Sequence, residues 1–444
     1  MAGRIMAAIL AAAIAVAIAL PARAQTILRD PDIERALREL ARPILNAAGL
    51  SAARIKVLVI HDDKMNAFVA DNGHIFLHSG LILRLKSAEQ VQAVIAHEVA
   101  HIANGHLARR AANYQVARNT AIMGTILAGV AAAAGGGKGA AGIAVGVQSS
   151  AMRSFFAHTR AEEASADQSA LRYLAANGID TQAMAQVLEL FRGQEALSVG
   201  RRDPYALTHP LNRDRIRAVA GFAAGFADRT RERPEDGYWF ARARGKLSAF
   251  IRSPATTFRE VGRTPGQGDV TARLRRAVAY HRQPRPDRAI AEIQSLVAAY
   301  PDDPFLAELQ GQILLENRQF GAAVQAYRRA AQKAPSNGLV LAGYGRALLA
   351  RNTRASNAEA LKVLTRARDR DPYSPLMLRD LGLAHARAGN NGMAALMSAE
   401  RYALIGRLKD AVPHAKRAQG LLPRGSNGWN RAQDILTAAR AVSR

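Results

Sequence analysis

Apolar and polar positions follow several different rhythms along this chain. From Thr26 to Leu50 the apolar side chains return every three to four residues, which predicts a helix. Ile55–Ile60, Asn66–Ala70 and His74–Leu77 are short runs rich in strand formers, the last two separated by the turn residues Asp71-Asn72-Gly73. Helical spacing then resumes. Ser87 is placed as an N-cap with Gln90 at the capping-box position, ahead of a helix expected to end near Arg110. A further helix covers the stretch around Arg160–Ala170, whose many small residues allow close approach to a neighbour.

Beyond residue 240 the pattern becomes periodic. Tyr238–Arg263 reads as helical, and Thr264–Asp269 (TPGQGD) as a linker before the repeats. Pro301, Pro335 and Pro372 follow one another at spacings of 34 and 37 residues, near the 34-residue period of the tetratricopeptide helix–turn–helix. Gly311, Ala323, Tyr327, Ala330 and Pro335 fall where that repeat needs small, small, aromatic, small and helix-ending residues. Ala289, Ile293, Leu296 and Pro301 repeat the second half one unit earlier. Gly345, Ala360, Leu364, Ala367 and Pro372 repeat it one unit later, with three extra residues near Thr353–Asn357. After Pro372 the period blurs, and a closing set of helices around Trp429 is expected. Such a stack binds peptide or protein in its concave face.

Charge changes this picture for the second half. The 444 residues carry 61 Lys and Arg against 36 Asp and Glu, a net +25, and residues 241–444 hold 34 against 15 of these, or +19. That surface attracts acidic partners, acidic polypeptides or lipid headgroups. There is no cysteine, so disulfides, thiol nucleophiles and cysteine metal sites are excluded; any metal must rest on His and carboxylate. At the start, Arg4 precedes an apolar stretch from Ile5 to Leu20, then Pro21 and Ala22-Arg23-Ala24 ahead of Gln25. This is the layout of a signal peptide over residues 1–24. It directs the chain out of the cytoplasm and argues against nucleic acid as a partner. Ala121–Val147 is nearly uncharged, but its two apolar arms flank Gly135–Gly139 and each is shorter than the roughly 17–25 residues that span a bilayer. It reads as a flap or lid that can lie on a membrane surface, or as a packed Ala/Gly hairpin.

The candidate chemistry lies in the helix after Ser87, which contains His97-Glu98-Val99-Ala100-His101. Residues i and i+4 are separated by about 400° of rotation, so both imidazoles leave one face, one turn apart, where they can share a zinc ion. Glu98 lies beside them, placed to take a proton from a water that the ion makes acidic and to return it to a leaving amine. Two residues compete for the third ligand. His106 is near in sequence, but on a continuous helix it lies about 180° and 140° around from His97 and His101. Glu163 is the stronger candidate: it shares a helical face with Asp167, which could accept the outer N–H of a ligating histidine.

His97–His101 followed by Glu163-x-x-Ala166-Asp167 resembles the gluzincin family of CAAX prenyl endopeptidases and membrane-stress endopeptidases. Asn66-Ala67-Phe68 ahead of Gly80-Leu81, Asn104-Gly105-His106, and Thr208-His209-Pro210 followed by Arg215-Ile216 agree with it. With the leader and the repeats, the chain is similar to the periplasmic subgroup concerned with outer-membrane β-barrel assembly. The resemblance implies His97, His101 and Glu163 as ligands of one Zn2+ per chain and Glu98 as catalytic base. Asn66, Ala67 and Phe68 would lie on an edge strand that pairs with extended substrate. It puts His209 near the zinc, in the open fourth position as a gate or beside a tetrahedral oxyanion; the alternative is a helix cap. Arg215 would pair with Asp167 or Glu98, or lie on a solvated face.

The fold expected is α+β: a mostly helical zincin-like metalloprotease domain with a small sheet over residues 25–255, then an all-α tetratricopeptide-repeat solenoid over 270–444. The function expected is a periplasmic zinc endopeptidase whose repeats recruit misfolded or assembling outer-membrane proteins and their assembly machinery. Two other readings compete: a chaperone or scaffold in which zinc is mainly structural, and a metallohydrolase acting on lipid or cell wall.

Overall fold

The computed structural model of the protein describes residues 27–109, 160–194, 205–206, 209 and 213–442. The leader 1–24, the 121–147 flap, Thr208 and Pro210 lie outside the described residues.

Four short strands form one sheet in the order β1-β2-β4-β3, where β1 is Ile27–Leu28, β2 Lys56–Ile60, β3 Ala67–Asp71 and β4 His74–His78. β2 and β4 run parallel, with Lys56 opposite His74; β1 and β3 pair antiparallel on the two sides. The helix expected from Thr26 therefore starts later, at Pro31, because Ile27 and Leu28 are drawn into the sheet opposite Ile60 and Val59. This helix, α1 (Pro31–Ala47), is opened by Asp30, whose carboxylate accepts the backbone N–H groups of Asp32 and Ile33, with Pro31 at the first position. A short helix α2 (Ser79–Arg84) follows β4 directly and leads to α3 (Ala88–Ala103).

Alternation along the strands sends Val57, Val59, Ile75 and Leu77 into a core shared with Leu37, Leu40 and Ile44 of α1 and Val91, Val94 and Ile95 of α3. Each such side chain contributes about 1.5–3 kcal/mol on burial. The histidine-bearing helix is thus fixed against the sheet along most of its length.

α3 ends sooner than its sequence pattern predicts. Asn104 caps it, Gly105 takes φ +69°, and a new turn begins at His106. Among the described residues no neighbour crowds the position a Gly105 Cβ would occupy; the left-handed backbone calls for glycine there. At the other end, Ser87 accepts the N–H of Gln90, while the Gln90 side chain accepts from Lys86 N rather than from Ser87 N.

The peptidase half is completed by α4 (described over 160–176), α5 (Gln182–Glu189) and α6 (Arg213–Ala224). The single helix read over Tyr238–Arg263 is two: Pro254 separates α7 (Pro234–Ile251) from α8 (Pro254–Val261). Five helix pairs follow, α9 (Val270–Arg282) with α10 (Pro286–Ala299), α11 (Pro304–Glu316) with α12 (Phe320–Lys333), α13 (Gly338–Arg351) with α14 (Arg354–Arg370), α15 (Pro375–Arg387) with α16 (Asn391–Leu404), and α17 (Leu408–Leu421) with α18 (Asn427–Val442). The three extra residues near Thr353 lengthen α14, whose start is held by a Thr353–Ser356 capping box. Where the period blurs, two further pairs continue the stack; they close on Ala432 and Leu436, with Trp429 only half-buried.

The TPGQGD stretch contains no helix, but it is pinned. Arg276 donates to the carbonyls of Val261 and Gln267 and pairs with Glu292 at 2.8 Å, while Glu292 accepts the N–H of Gly266. α7 packs on α1, α3 and α9, and so touches both halves. From it, Arg242 pairs with Asp32 (2.7 Å) and Asp303 (2.5 Å), and Lys246 with Asp30 (2.9 Å). On the far side, Asp371 binds Arg29 (2.7 Å) and Lys56 (3.1 Å), so the third repeat is held against the sheet.

Candidate metal centre

α3, α4 and the stretch before α6 bring His97, His101, Glu163 and His209 together, each with a ligand-type atom within 4.8 Å of the others, all buried. His97 Nε2 lies 3.0 Å from His101 Nε2 and 3.2 Å from His209 Nδ1. Glu163 supplies both oxygens: Oε1 is 3.3 Å from His101 Nε2, and Oε2 is 3.2 Å from His97 Nε2 and 3.0 Å from His209 Nδ1.

A set of carboxylate–cation contacts supports these four from behind. His97 Nδ1 faces Asp167 Oδ1 at 2.9 Å. Arg215 donates from Nε and Nη2 to the two oxygens of Asp167 (2.6 and 2.8 Å) and reaches Glu163 Oε2 at 3.1 Å. Burial would raise Asp167, but the Arg215 charge and hydrogen bonds hold it below its usual value. Burial would likewise raise Glu163, and the surrounding histidines hold it well below the carboxylate range. Burial acts to lower His97, yet Asp167 and Glu163 outweigh it and push the imidazole up to about 9; His101, where burial prevails with help from His97, is lowered well below its ordinary value.

Glu98 stands apart from this pairing. It is fully buried, its Oε1 lies 3.4 Å from His209 Nε2, and neither oxygen has a hydrogen-bond partner among the described residues. An ionisable acid in that state is costly unless a cation or water compensates it. Three imidazoles and a carboxylate converging beside an orphaned acid fit a divalent metal that takes nitrogen and oxygen ligands.

β3, which carries Ala67 and Phe68, is an outer strand of the sheet and packs beside α3. Asn66 just precedes it, buried, its carbonyl accepting the N–H of His78. The sequence reading turned His106 away from the cluster and left Tyr205 unremarked. His106 Nδ1 lies 2.8 Å from His101 Nδ1, because the break at Gly105 turns the chain back on α3; the Asn104-Gly105 pair, a helix stop, was the available signal. Tyr205 packs its ring 4.6 Å from that of His209 and 4.7 Å from Phe191. Its carbonyl accepts the His209 N–H, and its own N–H donates to Met65, next to the edge strand. The i, i+4 spacing of Tyr205 and His209 is the trace it leaves in the sequence.

A centre of this kind defines a metal-dependent peptidase built on an HExxH helix. Residues 28–223 match Peptidase family M48, and 240–304 and 309–356 match the tetratricopeptide repeat. Among relatives, the beta-barrel assembly-enhancing protease of Escherichia coli O157:H7 is 26% identical over 413 residues, which cover 90% of this chain and 81% of that protein. A putative beta-barrel assembly-enhancing protease of Vibrio cholerae serotype O1 is 31% identical over 197 residues, 43% of this chain and 39% of its own. Of solved structures, MamA MSR-1 C2 aligns with 38% of this chain and 96% of its own length at 20% identity and a TM-score of 0.31.

Proposed function

We propose that this protein is a periplasmic zinc endopeptidase that acts in the assembly and quality control of outer-membrane proteins, with His97, His101 and Glu163 as zinc ligands and Glu98 as the base. The observation that carries the reading is the buried Glu98 carboxylate, without a hydrogen-bond partner among the described residues, beside three imidazoles and Glu163. A structural metal site has no use for it. A zinc ion bound there supplies Lewis acidity toward a peptide carbonyl and an attacking water. Glu98 accepts the proton of that water and passes it to the departing amine nitrogen. β3 aligns an extended client by main-chain pairing, which grips any sequence. Asp167 fixes the ring of His97, and Arg215 keeps Asp167 ionised. His209 would hold the fourth position of a bound zinc in a closed, resting centre and would have to leave it for hydrolysis, which needs a vacancy.

The leader-like residues 1–24 support export, and the names of the relatives support β-barrel clients, bound by the basic repeats. Peripheral membrane contact through 121–147 belongs to the same proposal; among the described residues no helix is long and apolar enough to cross a membrane.

Cleavage of unfolded casein tests the reading. Purified protein should cut it, chelator should stop it, and Glu98→Gln should lower the rate by at least about 10²-fold at unchanged metal content. Folding assistance that survives Glu98→Gln, without any cleavage by the parent chain, would favour the scaffold instead. In the same assay His209→Ala should cleave faster than the parent. Slower cleavage at normal metal content would replace gating by a direct catalytic role.

A further inference from the structure

We propose that His106 is a positioning residue for the metal centre: it fixes the tautomer and ring plane of His101, so that His97–His101 and the turn through Gly105 to His106 act as one metal-binding unit. This rests on the reading of the four-residue cluster as a metal site, and it adds a residue that the HExxH pattern lacks.

The argument begins with protons. His101 Nε2 points into the cluster, toward His97 Nε2 and Glu163, so Nδ1 is its outer nitrogen. That outer nitrogen meets His106 Nδ1 at 2.8 Å, with the rings 4.9 Å apart and inclined at 72°. Two bare nitrogens repel at this distance, and two N–H groups clash, so one must donate to the other. A neutral imidazole has one proton. If His101 is to offer its Nε2 lone pair inward, that proton must lie on Nδ1, which makes His106 Nδ1 the acceptor and puts the His106 proton on Nε2.

The backbone points the same way. On a continuing helix His106 would lie far around the cylinder from His101. The structure instead ends the helix at Asn104 and uses a left-handed Gly105, at φ +69°, to bring the ring back. His106 is 1% exposed, a place an apolar side chain would fill at lower desolvation cost, yet its nitrogen is aimed at the ligand. The two helix histidines are thus held by different acceptors, His97 by the Asp167 carboxylate and His101 by an imidazole.

Zinc affinity tests this, measured on purified full-length protein by competition with a chromophoric chelator at fixed pH, alongside thermal melting of the metal-free chains. His106→Phe, which fills the space but accepts nothing, should bind zinc about 10–100-fold more weakly than the parent. His106→Gln, whose amide oxygen can accept from His101 Nδ1, should stay within about threefold. Should His106→Phe not fold, His106→Ala takes its place in the comparison with Gln. The cobalt-substituted parent and Gln variant should share one visible absorption spectrum that the Phe or Ala variant alters. Parent-like affinity in the Phe or Ala variant overturns the proposal, and so does equal loss in Gln together with equally lowered melting of the metal-free proteins, the mark of a packing role. A parent chain that takes up no metal would instead overturn the reading of the centre itself.

Discussion

The most exacting contacts in the molecule lie one layer behind the candidate ligands. Arg215 is the cation shared by two carboxylates that the interior would otherwise neutralise, Asp167 and Glu163. Arg215→Met leaves Asp167 buried without its chief cation, a loss of about 3–5 kcal/mol. It also moves the acid limb of stability. Both carboxylates titrate below their ordinary values when folded, so they contribute stability above the unfolded pKa, and it is lost as pH falls through the depressed folded value. Without Arg215, burial raises Asp167, and acid unfolding of the metal-free variant, followed by circular dichroism, should begin at a higher pH than in the parent. Much of this neighbourhood can be read from i, i+4 spacing: His97 with His101, Glu163 with Asp167. His106 cannot, because extrapolating 100° per residue fails one step past a left-handed glycine. For His209 the Tyr205 spacing was a faint trace, and only the resemblance to a family drew notice to it.

Single elements were the most legible part, for a local reason. Ser87 opens α3 and the prolines punctuate the repeats through backbone chemistry that needs no distant partner. Errors fell where tertiary pairing took over a local tendency: β1 removed the first turn from α1, and Pro254 split a helix that apolar spacing alone had joined. Within the repeats, the small residues do what their positions implied. Tyr327 is wedged between α11 and α13; a Cβ on Gly343 would lie 2.4 Å from its ring, and one on Gly311 2.6 Å. Gly343→Val should therefore cost about 1–3 kcal/mol in urea unfolding. Part of that loss should return in the double variant with Tyr327→Leu, which withdraws the ring. A loss that persists unchanged would place its origin elsewhere.

At the scale of the whole molecule, what joins the two halves was illegible. Asp371 meets Arg29 and Lys56, and Lys246 meets Asp30, across more than 200 residues of sequence, and surface-type residues carry no address for one another. One member of this join should respond to pH. Glu308 is buried beside Lys246, and burial, with Asp30 and Asp32 nearby, pushes its carboxyl up to about 8. The native state then holds a proton between about 4.5 and 8 that the unfolded chain has released, so its contribution is full below that window and is lost as pH rises through it. Glu308→Gln removes this loss. Relative to the parent, the melting temperature of the variant should rise by about 2–4 °C at pH 9 and hardly change at pH 4. The pinned TPGQGD stretch and the Asp371 clasp have a mechanical meaning as well. With the first pair packed on α7 and the third clasped to the sheet, the near part of the stack is held at a fixed distance from the peptidase half; under the proposed function, a client gripped there would meet Glu98 at a set reach, and a polypeptide too short to bridge that span would escape cleavage.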